Sequence, residues 1–190
     1  MLALGHTLQL DASQLLAAAR RGDAAAQGRL FDTHKTAVAR QVMRMTGDAS
    51  SVDDLVQEVF VAAFRRLHDF RGDAQIETWL FRITINKVNN WLEAKRRRIA
   101  RERRAAPHPD ALLTTTPDDD IAAKERLQGF YRALHDLPAD YRDAFVARAI
   151  EHQSLRATSE LLGIPVSTVS YRARRAEQML VQALDLEDGQ

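Results

Sequence analysis

Ser154–Arg175 reads SLRATSELLGIPVSTVSYRARR, and this stretch decides the architecture. A short helix, a turn containing Gly163 and a second helix opened by Ser167 or Thr168 form a helix-turn-helix pattern. Gly163 can end the first helix at positive φ, where a Cβ would be penalised. Ile164 and Val166 are positioned to pack the turn, and Val169 to face the core. Thr168, Ser170, Tyr171, Arg172, Arg174 and Arg175 are then left for an exposed recognition face. Hydroxyls and guanidinium groups are what reach phosphates and base edges in a major groove. An ordinary helical hairpin with a solvated basic face would give the same pattern, so the rest of the chain has to supply context.

Upstream, ETWLFRITINKVNNWLEAKRRRIARERR follows Ile76 as one long helical period. Trp79, Leu80, Ile83, Val88 and Leu92 share a face suited to a helical bundle, which leaves Arg82, Asn86, Lys87, Asn89 and Asn90 on the open side. Amides can read unpaired bases, aromatic rings can stack on them and arginines can hold the backbone. For Trp79 and Trp91 individually, packing in the core is the expectation over base stacking. Seven Lys and Arg residues crowd Lys95–Arg104, and so many like charges repel unless a polyanion meets them.

DDLVQEVF, Asp53–Phe60, opens a third amphipathic helix. Ser51 is expected to cap it, with Asp54 as a capping-box-like partner. Asp53, Asp54 and Glu58 could suggest a metal site, but acids are favoured at a helix N-terminus anyway and no histidine joins them at ligand spacing. A protein-docking surface is the better reading.

Composition is consistent with this. The 190 residues contain no cysteine, which excludes disulfides, thiolate nucleophiles and cysteine-bound metals. The net charge of +1 conceals an asymmetry: residues 1–106 hold 18 Lys and Arg against 12 Asp and Glu, and the remainder is acidic. The six histidines form no HExxH-like pair, and there is no Gly-rich phosphate loop, so neither a cofactor nor a small-molecule substrate is expected. Met1–Leu10 lacks a basic, then apolar, leader pattern, and no run approaches the roughly 20 apolar residues of a membrane span. A cytoplasmic protein without membrane insertion is expected.

The periodicity predicts an all-α chain of two small helical domains joined by a linker: residues 1–104, a linker at 105–119, and 120–190. The first helix is expected near Asp11 or Ser13, the next from Asp23 to Gly47, and others near 120–135, 139–152, 154–162 and 167–184. The linker (AAPHPDALLTTTPDDD in its bulk) holds Pro107, Pro109 and Pro117 and too little apolar surface to order itself.

Taken in order, DLVQEVF, FRG, TWLFRI, the basic run, a linker, LP and LLGIPVSTVSYRARRA resemble the extracytoplasmic-function (ECF) sigma factors of the sigma-70 family. The resemblance implies an alternative sigma factor, with region 2 in the first domain and region 4 in the last. On that basis Asp54, Leu55, Gln57, Glu58 and Phe60 would dock core RNA polymerase. Phe70, Arg71, Gly72, Trp79, Arg82, Asn86, Lys87 and Asn90 would take the −10 promoter element, where a base leaves the stack at a cost of a few kcal/mol. Lys95, Arg96, Arg97, Arg98 and Arg101 would hold the DNA backbone. Thr168, Ser170, Tyr171, Arg172, Arg174 and Arg175 would meet the −35 element. The family has an isoleucine–alanine pair in many members where Thr158 and Ser159 stand here. An anti-sigma factor is a further partner that the resemblance implies.

Three other readings use the same residues. A stand-alone helix-turn-helix regulator would bind symmetric operators as a dimer and need no polymerase. A helical adaptor would have lost DNA contact, and a nuclease built on Asp53, Asp54 and Glu58 would require a divalent metal.

Overall fold

The computed structural model describes residues 12–70, 72, 75–105 and 119–188. Among these, every regular element is a helix: α1 (Ala12–Arg20), α2 (Ala24–Thr46), α3 (Val52–Arg66), α4 (Ile76–Ala105), α5 (Asp119–Asp136), α6 (Ala139–Phe145), α7 (Leu155–Leu162) and α8 (Val166–Asp188). Most of the linker expectation and Arg71 lie outside the described residues.

Local chemistry fixes the ends. Asp23 caps α2, its Oδ1 accepting from the Ala26 N–H at 2.8 Å. Gly47 closes the same helix at φ 62°, with its N–H on the Met43 carbonyl. Ser51 does not cap α3 as expected, because a single 3₁₀ turn (Ala49–Ser51) precedes the helix. Asp48 caps that turn through the Ser50 N–H instead, and the Ser51 hydroxyl donates to the Asp48 carbonyl. Pro138 stands at the start of α6, where its missing N–H costs nothing. After Phe145 the helix widens into one π turn, Val146–Ile150.

The first half packs α2, α3 and α4 on one another through the apolar stripe of α3, namely Leu55, Val56, Val59, Phe60 and Ala63. α1 closes one end over Leu30, Leu67 and Phe70. The second half builds α5, α6 and α7 around α8, with Ala144, Val169 and Ala176 wholly buried. The two halves share one core. Leu80, Val88 and Leu92 of α4 belong to the same apolar cluster as Leu134, Leu137 and Leu161.

Candidate nucleic-acid and polymerase surfaces

α3 separates its residues by period. Asp54, Gln57 and Glu58 are exposed, whereas Leu55 and Phe60 are each only 2 % exposed. The last two therefore hold the helix in the bundle rather than offering a contact, which corrects their expected place on a docking face. Phe60 stacks edge-on against Phe31, with ring centroids 4.7 Å apart. Glu58 pairs with Lys87 of α4 at 3.1 Å.

On α4, Arg82, Asn86 and Asn90 recur every four residues and stand exposed as one stripe. Phe70 departs from expectation: it is buried, its ring 5.3 Å from half-buried Trp79, so Phe70 supports the head of α4 rather than facing a base. Gly72 turns the chain at φ 83° just before the helix. Arg82 is exposed but engaged, its Nε donating to the Leu161 carbonyl at 2.6 Å and its Nη2 to the Glu160 carbonyl at 2.5 Å.

The basic end of α4 is partly neutralised by its own surroundings. Lys95 lies 3.3 Å from Asp48 and over the Trp91 ring at 4.6 Å. That ammonium, after the Ser50 hydroxyl, helps hold the Asp48 carboxyl below its ordinary range against burial. Arg96 meets Asp136, Arg97 meets Glu93 and Arg98 meets Glu102, at 3.5–3.8 Å. Arg101 caps the Arg97 carbonyl. Exposed pairs of this kind contribute about 0–1 kcal/mol each, so phosphate can displace them readily.

The helix-turn-helix forms as read. Ser154 caps α7 through the Ala157 N–H, Gly163 takes φ 68°, and Val169 is fully buried. The second helix begins at Val166, two residues ahead of Thr168, and Val166 is 44 % exposed rather than packed in the turn. Tyr171, Arg174 and Arg175 are exposed, while Thr168, Ser170 and Arg172 are half-buried. Arg174 donates to the Ser170 hydroxyl at 3.0 Å, and Arg172 pairs with Asp140 at 2.7 Å.

Between the halves lies a constellation that sequence reading missed. Asn89 donates its amide to both carboxylate oxygens of Asp143 at 3.0 Å and accepts from Arg142 Nη2 at 2.7 Å. Arg142, 2 % exposed, also donates to the carbonyls of His135 and Leu137. Burial pushes the Asp143 carboxyl up to about 6, against the pull of Asn89 and Arg142. Nearby, His135 Nε2 donates to the Met45 carbonyl, and burial lowers the pKa of this imidazole. Tyr131 lies so close to Gly47 that a Cβ there would collide with its ring. A groove of about 1140 Å³ opens beside these groups, with Leu92, Lys95 and Ile99 of the first half facing Tyr131, Arg132 and His135 of the second.

The described residues bring no three His, Cys, Asp or Glu side chains together as a metal site, and no described helix is long and apolar enough to cross a membrane. What the fold does define is a helical protein with two separate polar, arginine-bearing helix faces, one on α4 and one on α8. Sigma-70 region 2 matches residues 30–98, and sigma-70 region 4 matches residues 127–180. The ECF RNA polymerase sigma-E factor of Escherichia coli K12 is 33 % identical, over 93 % of this chain and 97 % of its own. That of Haemophilus influenzae is 30 % identical, over 90 % and 94 %. Among solved structures, CnrH in complex with the cytosolic domain of CnrY is 30 % identical with TM-score 0.61, covering 90 % of this chain and 96 % of that one. The sigma factor RpoE of Bartonella quintana, with the anti-sigma factor NepR, shares the fold at TM-score 0.53 and 21 % identity, covering 83 % and 96 %. The chain belongs to the extracytoplasmic-function sigma factors of the sigma-70 family.

Proposed function

We propose that this alternative sigma factor binds core RNA polymerase through the exposed Asp54, Gln57 and Glu58 of α3 and directs initiation at promoters with two separated elements. Gly72, Trp79, Arg82, Asn86, Lys87 and Asn90 take the −10 element, together with Arg71. Lys95, Arg96, Arg97, Arg98 and Arg101 hold the adjoining backbone, and Thr168, Ser170, Tyr171, Arg172, Arg174 and Arg175 meet the −35 element. One observation carries the reading: the exposed Arg82–Asn86–Asn90 stripe and the exposed Tyr171–Arg174–Arg175 face belong to one chain that also presents a polar face on α3. A stand-alone operator-binding regulator would leave the α3 face without a use. The protein works in the cytoplasm without catalysis of its own, cofactor or small-molecule substrate.

An anti-sigma factor holds it inactive. The Bartonella sigma factor is seen with its anti-sigma factor and CnrH with the cytosolic domain of CnrY, and here the groove between Lys95 and Tyr131 touches both halves, so one occupant restrains the two together.

The test is transcription in vitro with sigma-free core polymerase and fragmented host DNA, mapping RNA 5′ ends. Discrete starts sharing two upstream elements are expected. Absence of starts and of core binding, with a control sigma active, would overturn the reading.

A further inference from the structure

The exposed stripe of α4 does not end at Asn90. Ala94 and Arg98 continue it at the same four-residue step, and both line a cavity of about 470 Å³. That volume lies within the roughly 300–1,000 Å³ of small-ligand sites. Trp91 is half-buried, with part of its ring in the bundle and part lining the cavity. Ser50 joins it from the 3₁₀ turn between α2 and α3, and Lys95 and Arg101 bring the cations to three. Ala94 keeps the space open, since a longer side chain at that step would enter it.

The cations are held loosely. Arg98 meets Glu102 at 3.7 Å with both side chains exposed, and Arg101 donates to the Arg97 carbonyl. Lys95 lies over the Trp91 ring at 4.6 Å, so an incoming ring displaces its ammonium towards the arginines. An aromatic face, guanidinium groups and a hydroxyl side by side match the parts of a nucleotide: the base stacks, and the phosphate takes the cations. Two carboxylates also line the cavity. Asp48 is already bound to Ser50 and Lys95, whereas Asp54 stands exposed at the start of α3. A carboxylate repels phosphate but accepts from the amino group of a base.

We propose that this cavity is a nucleoside-phosphate site, in which the base stacks on Trp91 and turns its amino group to Asp54 while Arg98 and Arg101 hold the phosphate. Guanine, adenine and cytosine suit it; thymine, which has no amino group, does not. Two sources supply this chemistry: a free nucleotide, or the unpaired nucleotide next along a strand lying on Arg82, Asn86 and Asn90. The second source rests on the promoter-binding reading above, and the first is independent of it.

The test has two arms, both on the full chain. In one, dGMP, dAMP, dCMP, dTMP and inorganic phosphate are titrated by calorimetry. In the other, 2-aminopurine, which carries an amino group, is moved position by position along a single-stranded oligonucleotide and its quenching by stacking is read. Ala94→Leu fills the cavity and Trp91→Leu removes the stacking face, and neither changes a charge. Urea unfolding shows that each variant folds, and Ala94→Leu, at an exposed helical position, serves alone if Trp91→Leu does not. A free-nucleotide site is expected to bind the three amino-bearing nucleotides about tenfold or more above dTMP and phosphate, with a loss of the same order in either variant. A strand site is expected to quench 2-aminopurine at one position and to lose that quenching in Ala94→Leu. Affinity for dTMP or phosphate equal to that for dGMP, with no position-specific quenching, overturns the proposal. So does binding in both arms that Ala94→Leu leaves unchanged. Failed transcription on core polymerase beside intact mononucleotide binding overturns the promoter reading and leaves the site standing.

Discussion

The Arg82 guanidinium reaches from α4 to the Leu161 carbonyl, 79 residues further along the chain, at 2.6 Å. The contact joins the first domain to the last turn of the first helix of the helix-turn-helix. Apolar burial around it is continuous, since Leu80 and Leu161 belong to one cluster. Arg82→Ala should therefore lower the stability of the full chain by about 1 kcal/mol, a charged hydrogen bond discounted for partial exposure. Urea unfolding gives the measurement, read as a lower midpoint at constant slope. Arg82→Lys should recover only part of the loss, because an ammonium lacks the fork that spans two carbonyls.

Asp143 sets a pH dependence of definite sign. Burial is the largest cause of its rise to about 6, with Asp140 adding to it and Asn89, Arg142 and Arg172 opposing. The folded form then holds a proton that the unfolded chain, with an ordinary carboxyl near 3.8, releases. Stability contributed at this position therefore falls as pH rises from about 4 to about 6 and is level above that. His135 works in the opposite sense, since its depressed pKa costs stability as pH drops below about 6.5. Asp143→Asn separates the two: relative to the parent it should gain about 2 kcal/mol between pH 4.5 and 7.5, as seen in thermal or urea unfolding at each pH. A parent and variant that run parallel across this range would contradict the assignment.

Legibility followed periodicity. The eight helices of the described residues, the Gly163 turn and the burial of Val169 come from spacing, capping and the φ freedom of glycine, all of which act within a few residues. Leu55 and Phe60 were assigned by the resemblance to a docking face, although their own period places them with Val56 and Val59 inside the bundle. Phe70 was lost for a different reason: a loop aromatic has no period, and only the fold brings Trp79 against it. Asn89, Arg142 and Asp143 were illegible as a group, because 53 residues separate Asn89 from Arg142 and nothing local records that α4 and α6 meet. One trace was available, an adjacent Arg–Asp pair on the inner face of an amphipathic helix, where unpaired charge is costly.

Thr158 is wholly buried in α7, and its hydroxyl has no hydrogen-bond partner among the described residues. A buried unpaired hydroxyl costs about 1–3 kcal/mol, and an apolar group of the same shape removes that cost. Thr158→Val should accordingly raise the melting temperature, by an amount corresponding to about 1 kcal/mol, while DNA binding by the proposed −35 face of Tyr171, Arg174 and Arg175 is retained. Such a gain would mark Thr158 as a local departure from good packing rather than a device for DNA recognition. A fall in melting temperature would mean that an ordered water satisfies the hydroxyl.

The division of α3 into an inner and an outer face gives the sharpest separation of folding from function. Leu55→Ala removes a 2 %-exposed side chain from the core and should cost about 2–5 kcal/mol, depending on how far the bundle collapses. Loss of polymerase binding in that variant would follow loss of structure and says nothing about contact. Asp54→Ala and Gln57→Ala alter exposed positions without buried partners to disturb, so stability should stay within about 0.5 kcal/mol of the parent. Their affinity for core polymerase, followed by fluorescence anisotropy of the labelled chain, should nevertheless fall, and by more when the two are combined. Glu58 is a useful third case because Lys87 already holds it at 3.1 Å. Glu58→Gln weakens that pair, releasing Lys87 to phosphate while removing a charge from the proposed docking face. Core affinity should then drop while single-stranded DNA affinity holds or rises, a split that a purely structural role for α3 would not produce.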